Sequence, residues 1–156
     1  MKIRTDFVTN SSSSSFIVVF NTKKDYDNKE ELLRNKYWLS DDYVRTICYD
    51  IDNNKVSRKE VIDTLKDTFR ADAEYTFAWK SMRWEEAREY MKTKEFKDKV
   101  NQYVNDMLDK YKEKLPDRGY YYAIIEYGDD DGDYFSKLEH QIMPHLPFVL
   151  KRISHH

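Results

Sequence analysis

The sequence predicts an α+β fold: a small sheet built from N-terminal and C-terminal strands, packed against a helical middle in the order β-β-α-α-α-α-β-α-β. Three observations carry this. β-Branched and aromatic residues fill Phe16–Phe20 and most of Tyr120–Tyr127 and Phe148–Ile153. Apolar residues recur at spacings of three and four over most of residues 27–114. A serine run and an Asp/Gly cluster mark sharp connections beside the strand-like segments. A length of 156 residues suits one core, so residues 1–156 read as a single α+β domain.

Taken in order, Ile3 and Phe7 among polar neighbours make residues 2–8 a half-exposed strand, whereas Phe16-Ile17-Val18-Val19-Phe20 is apolar on both faces and belongs inside a sheet. Asn10, Ser11, Ser12, Ser13, Ser14 and Ser15 are too few for a linker and too polar for a core. They read as a tight, hydrogen-bond-rich connection between those strands. From Asp27 the pattern turns helical, with Leu32, Leu33, Tyr37 and Trp38 in one short segment. After Ser40 as N-cap come Tyr43, Val44, Ile47, Cys48 and Ile51. Ser57-Arg58-Lys59-Glu60 fits a capping box, in which serine and glutamate satisfy each other's orphan amides, and Val61, Ile62, Leu65 and Phe69 follow on one face.

Residues 72–92 keep a helical period, but Thr76, Trp79 and Met82 interrupt the stripe, which predicts a break near Lys80 and Ser81. The strongest helix is 94–114, where Phe96, Val100, Tyr103, Val104, Met107, Leu108 and Tyr111 share one stripe; Leu115-Pro116-Asp117-Arg118-Gly119 ends it. Tyr120–Tyr127 is a strand and Gly128–Gly132 a turn. Asp133 caps a helix over 134–143, Pro144 and Pro147 close it, and Phe148–Ile153 is the last strand.

Charge narrows the function classes. Residues 1–54 carry 8 basic and 9 acidic side chains, 55–118 carry 16 and 14, and 119–156 carry 3 and 6. No segment has the basic excess that phosphate backbones require, which disfavours nucleic acid as a partner. Cys48 is the single cysteine, so no internal disulfide forms, and with no apolar leader this points to the cytoplasm. The longest apolar run is far too short to cross a membrane.

Chemistry-bearing residues gather near the C-terminus. Asp129, Asp131, Asp133, Glu139, His140, His155 and His156 are the types that hold Zn, Mn or Fe, and a divalent metal is the one cofactor they suggest. The spacing carries no metal signature: His140 and His145 are five apart across Pro144, unlike the i, i+4 pair of a zincin helix. An EF-hand starting at Asp129 would need glycine at Tyr134 and glutamate at His140. Solvated histidines and a solvated acidic turn account for most of these residues. The serine run offers a cradle of amides and hydroxyls for a phosphate, or else a turn that satisfies itself. It lacks the Gly-Lys-Ser/Thr of a P-loop, and a strand follows it where a P-loop needs a helix. No Gly-x-Ser-x-Gly elbow or Cys/His pair is present, and Cys48 sits on an apolar stripe. Among thirteen tyrosines, Tyr121 is the candidate contact, because Tyr120, Tyr121 and Tyr122 must alternate faces beside the acidic turn.

The opening Met1–Val18, with its Lys-Ile-Arg-Thr-Asp-Phe-Val-Thr-Asn-Ser-Ser-Ser-Ser-Ser-Phe core, resembles one shared by small uncharacterised proteins of Gram-positive bacteria and their phages. The ending from Gly132, with Arg152-Ile153-Ser154-His155-His156, is similar to the tail of some of them. The resemblance covers about a quarter of the chain and implies that the terminal histidines are native rather than a tag. It implies no activity. If the first and last strands share one sheet, the serine run, the acidic turn and the histidine tail converge on one polar edge. The resulting expectation is a non-enzymatic cytoplasmic accessory protein, phage or mobile-element borne, that binds a partner protein or a small phosphorylated ligand. The alternative is a metal-dependent hydrolase using the C-terminal Asp/Glu/His cluster.

Overall fold

The computed structural model describes residues 13–115, 117–128 and 132–155. Contacts gather into two compact units, one of residues 1–56 with 120–156 and the other of residues 57–119. The α+β class is as the sequence predicts, with a four-stranded antiparallel sheet drawn from both ends of the chain. The expected strand at residues 2–8 lies outside the described residues.

In the first unit, β1 (Ser13–Phe20) is followed by α1 (Lys23–Asp27), α2 (Lys29–Asn35), α3 (Asp41–Asn53) and β2 (Lys55–Val56). Later in the chain come β3 (Tyr121–Gly128), α7 (Asp133–Lys137) and β4 (Val149–His155). The sheet order is β2-β3-β1-β4, so β1 is interior, as its two apolar faces require. Phe16, Val18 and Phe20 share a face with Ile125, Ala123 and Tyr121, their partners across β3. That face packs on Leu33 of α2, on Val44, Ile47 and Ile51 of α3, and on Leu138 and Met143 after α7. Each large apolar side chain buried there contributes about 1.5–3 kcal/mol relative to exposure.

The serine run departs from expectation. Ser13, Ser14 and Ser15 are the first residues of β1, each paired on both sides, with Gly128, Tyr127 and Glu126 of β3 and with His155, Ser154 and Ile153 of β4. Ladder hydrogen bonds from two neighbours outweigh the local preference of serine for turns. β4 follows β1 in register up to Ile17 opposite Lys151, then shifts so that Val18 faces Val149, a bulge.

Helix boundaries also moved. α1 starts at Lys23, ahead of the expected onset, because the Thr22 side chain accepts a hydrogen bond from the Asp25 amide at 3.1 Å. Tyr37 and Trp38 fall beyond α2, and Trp38 takes a left-handed φ of 56°, a conformation glycine usually fills after a helix. Ser40 stands at the N-cap of α3 in extended backbone, without a side-chain capping bond. Gly132, at φ 108°, is the N-cap of α7, and Asp133, expected there, is the first helical residue instead. Beyond Lys137 the helix widens into a π-helical turn, Leu138–Ile142, and tightens into a 3₁₀ turn, Met143–His145. Pro144, which has no amide to donate, lies in that final turn.

The second unit is helical: α4 (Arg58–Glu74), a π-helical turn at Tyr75–Trp79, α5 (Trp84–Met91) and α6 (Lys94–Lys112). The capping box opens α4 as predicted, with the Ser57 amide donating to Glu60 Oε2 at 2.7 Å and the Glu60 amide to Ser57 Oγ at 3.1 Å. Val61, Leu65, Phe69 and Ala73 are buried along α4, and Phe96, Val100, Val104 and Leu108 along α6, which packs against it. The predicted break falls after the π turn, between Trp79 and Trp84.

Candidate functional site

Two places carry functional groups, one in each unit. In the first unit, the polar end of the sheet brings together segments that are distant in sequence. Ser13 pairs with Gly128 on one side and His155 on the other, so the serine run, the start of the acidic turn and the histidine tail meet at one end of the strands. Ser14, on the core face and fully buried, donates its hydroxyl to Glu139 Oε1 at 2.8 Å and accepts from Arg152 Nε at 3.0 Å. Arg152 also lies 3.6 Å from Glu139 Oε1. Its Nη2 is 3.1 Å from His140 Nδ1, whose Nε2 is 3.4 Å from Glu139 Oε2. For Arg152 to donate there, Nδ1 must be the acceptor; Nε2, though near Glu139 Oε2, makes no hydrogen bond to it. Glu139 has no solvent exposure, and Ser14 and Arg152 approach it through Oε1.

On the opposite face, Ser15 Oγ and His155 Nε2 are 2.8 Å apart. Ser14 and Ser15 therefore use their hydroxyls internally. Asn10, Ser11, Ser12, Asp129, Asp131 and His156 lie outside the described residues. Asp133 is exposed in the first turn of α7, where a negative charge suits the helix N-terminus. Among the described residues no three His, Cys, Asp or Glu side chains gather in an arrangement fit for a metal ion.

Tyr121 is corrected. It lies opposite Phe20, at the far end of β3 from the acidic turn, and is only 7% exposed. Its hydroxyl donates to the Ile51 carbonyl at 2.7 Å, which ties β3 to the end of α3. The exposed member of the triplet is Tyr120. Beside Tyr121 is a cluster the sequence did not signal: Tyr26 hydrogen bonds Asp52, and Lys29, only 8% exposed, sits 3.6 Å from the Tyr26 ring centre and 3.3 Å from Asp52 Oδ1. Burial, followed by the Asp52 carboxylate, raises the Tyr26 phenol well above its usual range. Burial likewise raises the Tyr127 phenol, which donates to Asp50 Oδ2 at 2.7 Å. Cys48 is half-buried, and burial pushes its thiol up to about 11.

In the second unit, the π turn decides which aromatic residues reach solvent. Buried positions on α4 advance by four, ending at Ala73, and the next buried residue is Ala78, five further on. An uninterrupted α-helix would turn Phe77 inward. The extra residue seats Ala78 there and leaves Phe77 half-buried, 5.8 Å from the Tyr103 ring and 4.6 Å from Lys99 Nζ. Tyr75 and Trp79, at either end of the turn, are 59% and 37% exposed. Trp84, which opens α5, is 61% exposed, and the Arg88 guanidinium lies 4.6 Å from its ring centre. The sequence hint for this surface was the interruption of the helical stripe at Thr76, Trp79 and Met82.

Comparison of the chain with known protein families, curated proteins and solved structures finds no match. Among the described residues, no helix is long and apolar enough to cross a membrane.

Proposed function

We propose that this is a non-enzymatic cytoplasmic accessory protein that works by binding a partner protein, and that Tyr75, Trp79 and Trp84 form its contact surface. The observation that carries the reading is the exposure of Tyr75 and Trp79 on the π turn and of Trp84 at the start of α5, with the Arg88 guanidinium 4.6 Å from the Trp84 ring centre. Tryptophan, tyrosine and arginine supply most of the energy in protein interfaces, since each offers a large area with few torsions to freeze. Leaving two indoles in water has no benefit to the free chain, and a partner that covers them recovers that apolar area. The small phosphorylated ligand is the weaker branch, because Ser14 and Ser15 already spend their hydroxyls on Glu139, Arg152 and His155.

The test is quantitative co-purification with the wild-type chain and with a Trp79→Ala/Trp84→Ala variant of unchanged helix content. A specific partner should be retained by wild type and reduced at least about tenfold by the variant, since hot-spot truncations cost about 2 kcal/mol or more each. An unchanged set of bound proteins would overturn the reading.

A further inference from the structure

A second binding place, independent of the aromatic surface, lies in the first unit. A cavity of about 400 Å³ opens where the end of β1, α1, α2 and the turn before β4 meet. That volume falls within the range of small-molecule sites, about 300–1,000 Å³. Its apolar wall is made by Val19, Phe20, Leu32 and Phe148. The Phe20 and Phe148 rings stand 4.9 Å apart at 32°, packed against each other at the base of that wall.

Its polar lining comes from Asn21, Asp25 and Asn28. Among the described residues none of these three side chains makes a hydrogen bond or ion pair within the chain; Asp25 meets Thr22 through its backbone amide alone. Among the described residues, Asp25 is the one ionisable residue lining the cavity, and it is acidic. Of the neighbouring cations, Lys23 Nζ is 2.6 Å from Asp27 and Lys29 is committed to Asp52 and the Tyr26 ring, and among the described residues no ion pair joins Lys24 to Asp25. The carboxylate at the rim sets the ligand's charge, the apolar wall takes a hydrophobic body, and the two amides are free to orient a polar group.

We propose that this cavity binds a small organic ammonium ion, its apolar body against Phe20, Leu32 and Phe148 and its cationic nitrogen on Asp25. An anion would be repelled by the same carboxylate, and a neutral isostere would leave it unpaired.

The test uses three probes of one shape on the full chain: phenethylamine, 2-phenylethanol and 3-phenylpropionate, titrated to millimolar concentration while the methyl resonances of Val19 and Leu32 are followed by NMR. Phenethylamine should shift those methyls saturably and bind roughly tenfold tighter than the alcohol, the worth of one charge-assisted contact. Asp25→Asn should bring the amine to the level of the alcohol; this exposed side chain takes no part in the Thr22 cap. Equal binding of amine and alcohol, tighter binding of the carboxylate, shifts confined to other methyls, or no binding of any probe would each overturn the proposal. The wild-type comparison stands whether or not the variant folds.

Discussion

Ser14 Oγ donates to Glu139 Oε1 at 2.8 Å, joining the central strand to the π turn after α7 across 125 positions of sequence. Both groups are without solvent exposure, so the bond has no water to replace it. Ser14→Ala should lower stability by about 1–3 kcal/mol, the cost of leaving a buried acceptor short of its donor. Ser15→Ala, whose partner His155 is exposed, should cost less. Urea denaturation of the two variants checks the order, and equal losses would contradict this role for Glu139.

Trp38 pays for its left-handed backbone with nothing that the described structure returns, since its side chain is 86% exposed. An L-residue in this region costs about 1–2 kcal/mol, partly offset in glycine by its greater freedom when unfolded. Trp38→Gly should therefore raise stability by up to about 1 kcal/mol, and Trp38→Val, with its branched Cβ, should lower it. Thermal melts that rank valine above glycine would refute the strain.

The two serine caps separate sequence pattern from geometry. Ser57 accepts from Glu60 at 3.1 Å, whereas Ser40 makes no side-chain capping bond. Ser57→Ala should cost about 1 kcal/mol. Ser40→Ala should cost clearly less, and chemical denaturation of both variants distinguishes them.

Burial lifts the Cys48 thiol from 9.0 to about 11. The fold favours the neutral thiol, so this contribution to stability is fully present below about 9 and is lost as pH rises through about 11. Near neutral pH native Cys48 should react with iodoacetamide more slowly than the same cysteine in urea, because the thiolate is the nucleophile. Equal rates, read by mass spectrometry, would show the thiol to be unperturbed.

The sequence displayed what is local. The capping box set the start of α4, the double-faced run Phe16–Phe20 announced an interior strand, and the stripe from Phe96 to Leu108 marked α6. It concealed what depends on distant partners. Ser13–Ser15 have turn chemistry and became strand because β3 and β4 flank them, and two-residue β2 has too short a pattern to register. The π turns left only a disturbed stripe at Thr76, Trp79 and Met82. Glu139 was legible as a carboxylate with chemistry to offer, but nothing in a linear string pairs it with Ser14 and Arg152. Tyr121 was drawn outward by alternation, which fails on a strand buried on both faces.

The placing of β1 between β3 and β4 also sets an order of events on the ribosome. Strand β1 has both of its sheet neighbours more than a hundred residues downstream, so it must wait through the synthesis of the whole helical segment before it can pair with them. Residues 57–119 are contiguous and rich in short-range helix contacts, and they are expected to be folded by then. Until β3 and β4 emerge, the apolar run Phe16–Phe20 lacks both of its partners in the nascent chain, the kind of unpaired segment that invites aggregation.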